Sequence, residues 1–204
     1  MIVQSIVCFS LANMIVMGAD ASQMKTAALA NGVRTAAISS QVRLERENHL
    51  KEVELRRLRN VVCALGGKPH HVSILLKAGK KFEIDPIFLA AVTHVESSFR
   101  PRARSGKGAC GLMQLRPIVT KAYGVTDPWD PRQNIMGGAA YLRSCFYRYR
   151  KHSNSTFLAL AAYNIGPGPA EKLSSSPAAK RFVKKVLLVY NRFTSEPIRI
   201  SRRF

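Results

Sequence analysis

From His70 to Phe193 every strong apolar segment repeats with the 3.6-residue period of an α-helix, and none alternates as a half-buried strand does. This periodicity restricts the chain to a mainly α fold. His71–Phe82 places Val72, Leu75 and Leu76 on one face. Asp85-Pro86 reads as a helix start, with an aspartate N-cap and proline at the first helical position. The helix from Pro86 to about Ser97 is apolar nearly all round, so it is expected to be buried on most sides. Asn134–Tyr149 carries Ile135, Ala139, Leu142 and Phe146 at helical spacing. Thr156–Tyr163 is a short apolar helix stopped by Gly166-Pro167-Gly168, and Ala178–Phe193 aligns Phe182, Val186, Tyr190 and Phe193.

The rest of the chain is organised differently. Residues 1–21 read as an export signal: residues 1–18 are uncharged and largely apolar, and Ala19-Asp20-Ala21 has the small-x-small pattern of a cleavage site. No Lys or Arg precedes the apolar stretch, so a membrane anchor is the second reading. Residues 22–69 read as a charged linker, helical or partly disordered, with Glu47–Lys51 and Glu52–Arg56 at i,i+4 spacing. Gly66-Gly67-Lys68-Pro69 marks its end, and residues 195–204 form a basic tail.

Charge constrains the partner. The 204 residues carry 32 Lys+Arg against 12 Asp+Glu, a formal charge of +20. Such a chain attracts an anionic polymer, whether nucleic acid, a membrane surface or a cell wall. No helix-turn-helix, zinc-finger or RNA-recognition pattern is present, so no specific nucleic-acid partner is expected. Four cysteines are too few for a disulfide scaffold. Cys63, Cys110 and Cys145 read as buried apolar residues, with a single disulfide as the alternative, and nothing in their spacing suggests a metal site.

Glu96 ends the nearly all-apolar helix. A carboxyl held there loses hydration, and desolvation raises its pKa toward the range a general acid needs. Taken alone, a helix-end glutamate reaching solvent explains the position as well. Its neighbours change that balance. Glu96-Ser97-Ser98-Phe99-Arg100-Pro101 leads through Ser105 to Gly108-Ala109-Cys110-Gly111-Leu112-Met113-Gln114-Leu115, then Asn134-Ile135 with Gly137-Gly138, then Ala162-Tyr163-Asn164. In order and approximate spacing these motifs resemble the Glu-Ser, Gly-Leu-Met-Gln and Ala-Tyr-Asn motifs of the soluble lytic transglycosylase domain.

The resemblance implies a lysozyme-like α fold and cleavage of the β-1,4 bond between N-acetylmuramic acid and N-acetylglucosamine in peptidoglycan. It puts the catalytic acid on Glu96 and a sugar-orienting serine on Ser105. Met113 and Gln114 would line the groove, Tyr163 would hydrogen-bond near Glu96, and Asn164 would hold the turn or contact sugar. Cys110, Arg116 and Ile165 stand where the family often has Arg, Met and Ala. The resemblance implies no cofactor and no metal. It implies an exported or periplasmic enzyme, membrane-anchored if the signal stays, with no stable membrane span once the signal is cleaved. Peptidoglycan glycan strands would be the partner, and the chain's small size adds secretion or conjugation machinery as a candidate partner.

A one-carboxylate reaction fits the acidic residues after Glu96. Asp127 and Asp130 lie in Asp127-Pro128-Trp129-Asp130-Pro131 and read as turn formers, Glu171 follows a Gly-Pro turn, and Glu196 lies in the tail. Hydrolysis ordinarily uses two carboxylates; a lysozyme-like hydrolase using water is the alternative, followed by a basic nucleic-acid-binding protein and then an inactive wall-binding module. Trp129 reads as a hydrophobic plug rather than a sugar platform, His94 as a satisfied core or surface histidine, and Tyr190 as part of the last helix's core stripe.

Overall fold

The computed structural model describes residues 20–195. The chain divides into two units, Met1–Glu54 and Leu55–Phe204. The expected export signal, residues 1–21, and the expected tail, residues 195–204, lie almost wholly outside the described residues. Among the described residues, no helix is long and apolar enough to cross a membrane.

Helix α1, Ala21–Ala64, supplies the described part of the first unit and the start of the second. It begins where the Asp20 carboxylate accepts from the Ser22 N–H at 2.6 Å, an N-cap contact. Gln41 Nε2 donates to Glu45 Oε1 at 3.0 Å, one helical turn apart. In the first unit Leu29, Ile38, Val42, Leu44, Leu50 and Val53 are all exposed. In the second unit the same helix changes character: Leu58, Val61 and Val62 are buried, with Leu65 just beyond its end. The compact unit thus takes in residues from Leu55, ahead of the boundary expected at residue 70.

Among the described residues of the second unit seven further helices follow: α2 Pro69–Phe82, α3 Pro86–Ser97, α4 Pro117–Ala122, α5 Pro131–Tyr149, α6 Ser155–Ile165, α7 Ala170–Ser175 and α8 Pro177–Arg192. Five open on proline, whose missing N–H costs nothing in a first turn. Asp85 Oδ1 accepts from the Ile87 N–H and Asp130 Oδ1 from the Gln133 N–H, both at 2.7 Å. The three-residue shortfall at the start of the expected Asn134 helix therefore has a cause, since Asp130 and Pro131 cap and open α5. The short helices α4 and α7, six residues each, carry too few residues to show a period.

α3 and α6 form the centre. Leu89 to Val92 and Leu158 to Ala162 are completely buried. α6 packs against α5, α7 and α8, while α3 packs against α2 and α8. Their all-round apolar character has its counterpart in burial on every side. Between α3 and α4 the chain has only isolated antiparallel bridges, Arg104 with Cys110 and Cys110 with Leu115.

Candidate active site

The site is built where α3 ends. The Ser98 backbone turns left-handed, φ 51°, and Phe99 follows at φ 58°. Non-glycine residues seldom adopt this region, and such strain gathers where a surrounding structure enforces it. The enforcing contacts are visible. Ser97 Oγ lies 3.1 Å from Thr93 O and 2.7 Å from Leu112 O, which ties the helix end to the 110–115 loop. Phe99 is buried with its ring 5.3 Å from that of His71.

Two histidines hold the loop between α1 and α2. His94 Nδ1 donates to Leu65 O at 2.8 Å, the satisfied role expected of it. His71 Nδ1 accepts from the Lys68 N–H at 2.9 Å, and burial, with the nearby His70 and Lys68, pushes the His71 pKa down to about 4.

Asn134 organises the 110–115 loop. Its Oδ1 accepts from the Met113 N–H at 2.7 Å, and its Nδ2 donates to Cys110 O at 3.0 Å and Pro128 O at 2.8 Å. The residue is completely buried, so these bonds satisfy polar groups that water does not reach. Gly111, at φ 81°, lies against the Asn134 amide and Pro128 O and has no room for a Cβ. Gly138 meets Met113 Sδ in the same way: a Cβ there would lie 2.5 Å from the sulfur.

Glu96 is partly buried, and burial pushes its carboxyl pKa from the ordinary 4.5 up to about 8. Tyr163 is buried beside it. Desolvation and then the Glu96 charge both raise the phenol well above its ordinary range. The Tyr163 hydroxyl donates to Met113 O at 2.8 Å.

Glu96 opens into a groove of about 1030 Å³ that also contains Ser105, Gln114, Phe99, Trp129, Asp127 and Asp130. Ser105 Oγ accepts from the Ala109 N–H at 3.0 Å. Gln114, left-handed at φ 48°, donates its amide to Ala103 O and Gly111 O, each at 2.9 Å. Three of the expected site residues, Glu96, Ser105 and Gln114, thus share one groove. Tyr163 and Met113 are buried and do not line it, and Asn164 is exposed at the end of α6, also outside the groove lining.

Other placements differ from expectation. Trp129 lines the groove, partly exposed, instead of plugging a turn. Asp127 and Asp130 do form the turn, through Asp127 Oδ1 on the Trp129 N–H at 2.8 Å and the α5 cap, and they line the groove as well. Tyr190 stays with the core, its hydroxyl 2.7 Å from Asp85 Oδ2, at a separate cavity of about 510 Å³. Cys145 is buried, as expected, with its thiol pushed up to about 11 chiefly by desolvation, but Cys63 is exposed and Cys110 only partly buried, and none of the three is paired. Among the described residues no three His, Cys, Asp or Glu gather as metal ligands. Sequence reasoning missed the organising role of Asn134. Its one local signal is a polar residue directly before Ile135, at the start of a buried face.

Comparison with known proteins agrees with this geometry. A family model described as the transglycosylase SLT domain matches residues 73–185. A transglycosylase of Enterobacteria phage PRD1 is 41% identical over 116 residues, 55% of this chain and 42% of that protein. A membrane-bound lytic murein transglycosylase F of Shewanella halifaxensis is 38% identical over 151 residues, 68% of this chain and 31% of that protein. The chain thus spans less than half the length of either relative. The crystal structure of the 70 kDa soluble lytic transglycosylase of Escherichia coli superposes with a TM-score of 0.52 at 23% identity, covering 59% of this chain and 23% of that one, which establishes the shared lysozyme-like fold. With the family model matching more than half of its residues, the chain belongs to the transglycosylase SLT domain family.

Proposed function

We propose that the protein is an exported peptidoglycan lytic transglycosylase that cleaves the β-1,4 bond between N-acetylmuramic acid and N-acetylglucosamine, with Glu96 as its one acid and base. The observation that carries this reading is the carboxyl of Glu96, held protonated by burial at neutral pH inside the 1030 Å³ groove. Glu96 gives its proton to the glycosidic oxygen as the bond from that oxygen to muramic C1 breaks. The resulting carboxylate then takes the proton of the muramic C6 hydroxyl, whose oxygen bonds to C1 and closes a 1,6-anhydro ring. No water enters and Glu96 ends protonated.

A positioned intramolecular hydroxyl replaces the water and second carboxylate of a hydrolase. Asp127 and Asp130, the other carboxylates of the groove, each commit an oxygen to a backbone N–H of the turn or cap. Ser105 and Gln114 are assigned to the sugar from their place in the groove. Tyr163 positions Glu96, Met113 acts through the carbonyl that holds Tyr163, and Asn164 lies in the last turn of the helix that carries Tyr163. Residues 1–21 serve as the export signal or anchor, and residues 22–54 connect it to the catalytic unit. The anionic wall is the counter-charge for the +20 chain.

The test is mass spectrometry of products from purified peptidoglycan. Wild type is expected to yield anhydromuramic ends, and Glu96→Gln to yield none above background. Reducing ends heavier by one water would instead establish the hydrolase, and equal digestion by the two proteins would remove Glu96 from the mechanism.

A further inference from the structure

One wall of the groove is more basic than sugar chemistry requires. Arg100, Arg102 and Arg104 alternate with Pro101 and Ala103 along the segment that leaves α3, and Lys68 lines the same groove. All four are exposed. Arg100 spends its Nε–H on Ser97 O at 3.1 Å. Among the described residues the one ion pair is Arg143 with Glu83, outside this groove, and no hydrogen bond engages the Arg102 or Arg104 guanidinium.

Groove acids do not neutralise these cations. Asp127 and Asp130 make no ion pair, and burial alone accounts for the raised acid of Glu96. Clustered like charges repel, so four unpaired cations in a concave site are an arrangement that an anion relieves. A guanidinium takes a carboxylate with two parallel N–H donors. The glycan chain itself has neutral hydroxyl and acetamido groups. Carboxylates enter on the peptides attached to the muramic lactyl group, and these flank the bond Glu96 is proposed to cleave.

We propose that Arg102 and Arg104, with Lys68 and Arg100 beside them, form a subsite for the free carboxylates of the peptide stem, so that the enzyme selects stem-bearing over charge-neutral strands. The subsite rests on the proposed transglycosylase reading and adds its substrate class. The two arginines act on the stem and leave the sugar chemistry to Glu96.

The test compares full-length wild type, Arg102→Gln/Arg104→Gln and Arg102→Lys/Arg104→Lys. Substrates are soluble stem-bearing glycan strands and the same strands with their carboxyls amidated by carbodiimide and ammonia. Both positions are exposed, and far-ultraviolet circular dichroism with melting checks that each variant folds. On native strands the double glutamine variant is expected to lose roughly tenfold in kcat/KM, carried by KM, as two charge-assisted contacts are lost. The double lysine variant is expected to recover part of that loss. Amidation is expected to bring wild type down to the glutamine variant's level, because one interaction is removed by either change. Equal loss by the variant on both substrates, or no loss on native strands, overturns the stem subsite while leaving the transglycosylase reading intact. A wild type that cleaves neither substrate overturns both.

Discussion

Glu96 combines a charged residue type with a setting that disfavours its charge. Its carboxyl holds a proton up to about pH 8, against an ordinary 4.5. In the proposed reaction cleavage starts from the protonated acid, so kcat/KM is expected to fall as pH rises through about 8, and a pH–rate profile on soluble strands measures this. Stability follows the same linkage. The folded state holds the Glu96 proton more tightly than the unfolded state does, so wild type loses stability as pH climbs from about 4.5 to about 8. Glu96→Gln has no proton to lose. Its melting temperature is therefore expected to match wild type near pH 4 and exceed it at pH 9, by an advantage on the order of a few kcal/mol. Its apolar helix made Glu96 a candidate and the motifs around it singled it out, but the place of Trp129 was not legible. A tryptophan in a Pro-rich turn packs inward or lines a groove according to which neighbours cover it, and those come from distant parts of the chain.

At the level of elements, the site depends on how a loop is fastened to two helices. Ser97 holds the loop to the end of α3, and Asn134 holds it to the start of α5. Asn134→Ala removes the partner of the Met113 N–H and of the Pro128 carbonyl, and one of the two donors to the Cys110 carbonyl, which keeps the Leu115 N–H. It is expected to cost roughly 3 kcal/mol, read as a lowered urea midpoint. Activity is expected to fall with it, because Met113 O is the acceptor for Tyr163 beside Glu96. Helix positions were legible from period, proline and cap. The fastening was not, because hydrogen bonds from residue 134 to residues 110, 113 and 128 leave no periodic trace.

Across the whole molecule, the boundary of the folded unit is the point where sequence and structure part. Gly66-Gly67-Lys68-Pro69 looks like the end of a linker, yet Leu58, Val61, Val62 and Leu65 before it are buried in the core. A fragment starting at Leu55 is expected to melt within a few degrees of the full chain. A fragment starting at His70 loses four buried side chains, on the order of 5–10 kcal/mol of burial, comparable to the whole stability of a domain. It is expected to show no cooperative thermal transition by circular dichroism. The export signal and the basic tail lie almost wholly outside the described residues. By itself the sequence determined the longer helices after residue 70, the mainly α class, the family motifs and Glu96 as the candidate acid, because period, capping and motif order are local properties of the chain. Tertiary structure alone decided that α1 enters the core, that Met113 is buried outside the groove lining and Trp129 lies in it, and that three arginines share a groove with Glu96. Each of these is set by burial, and burial depends on what residues far away in the chain cover.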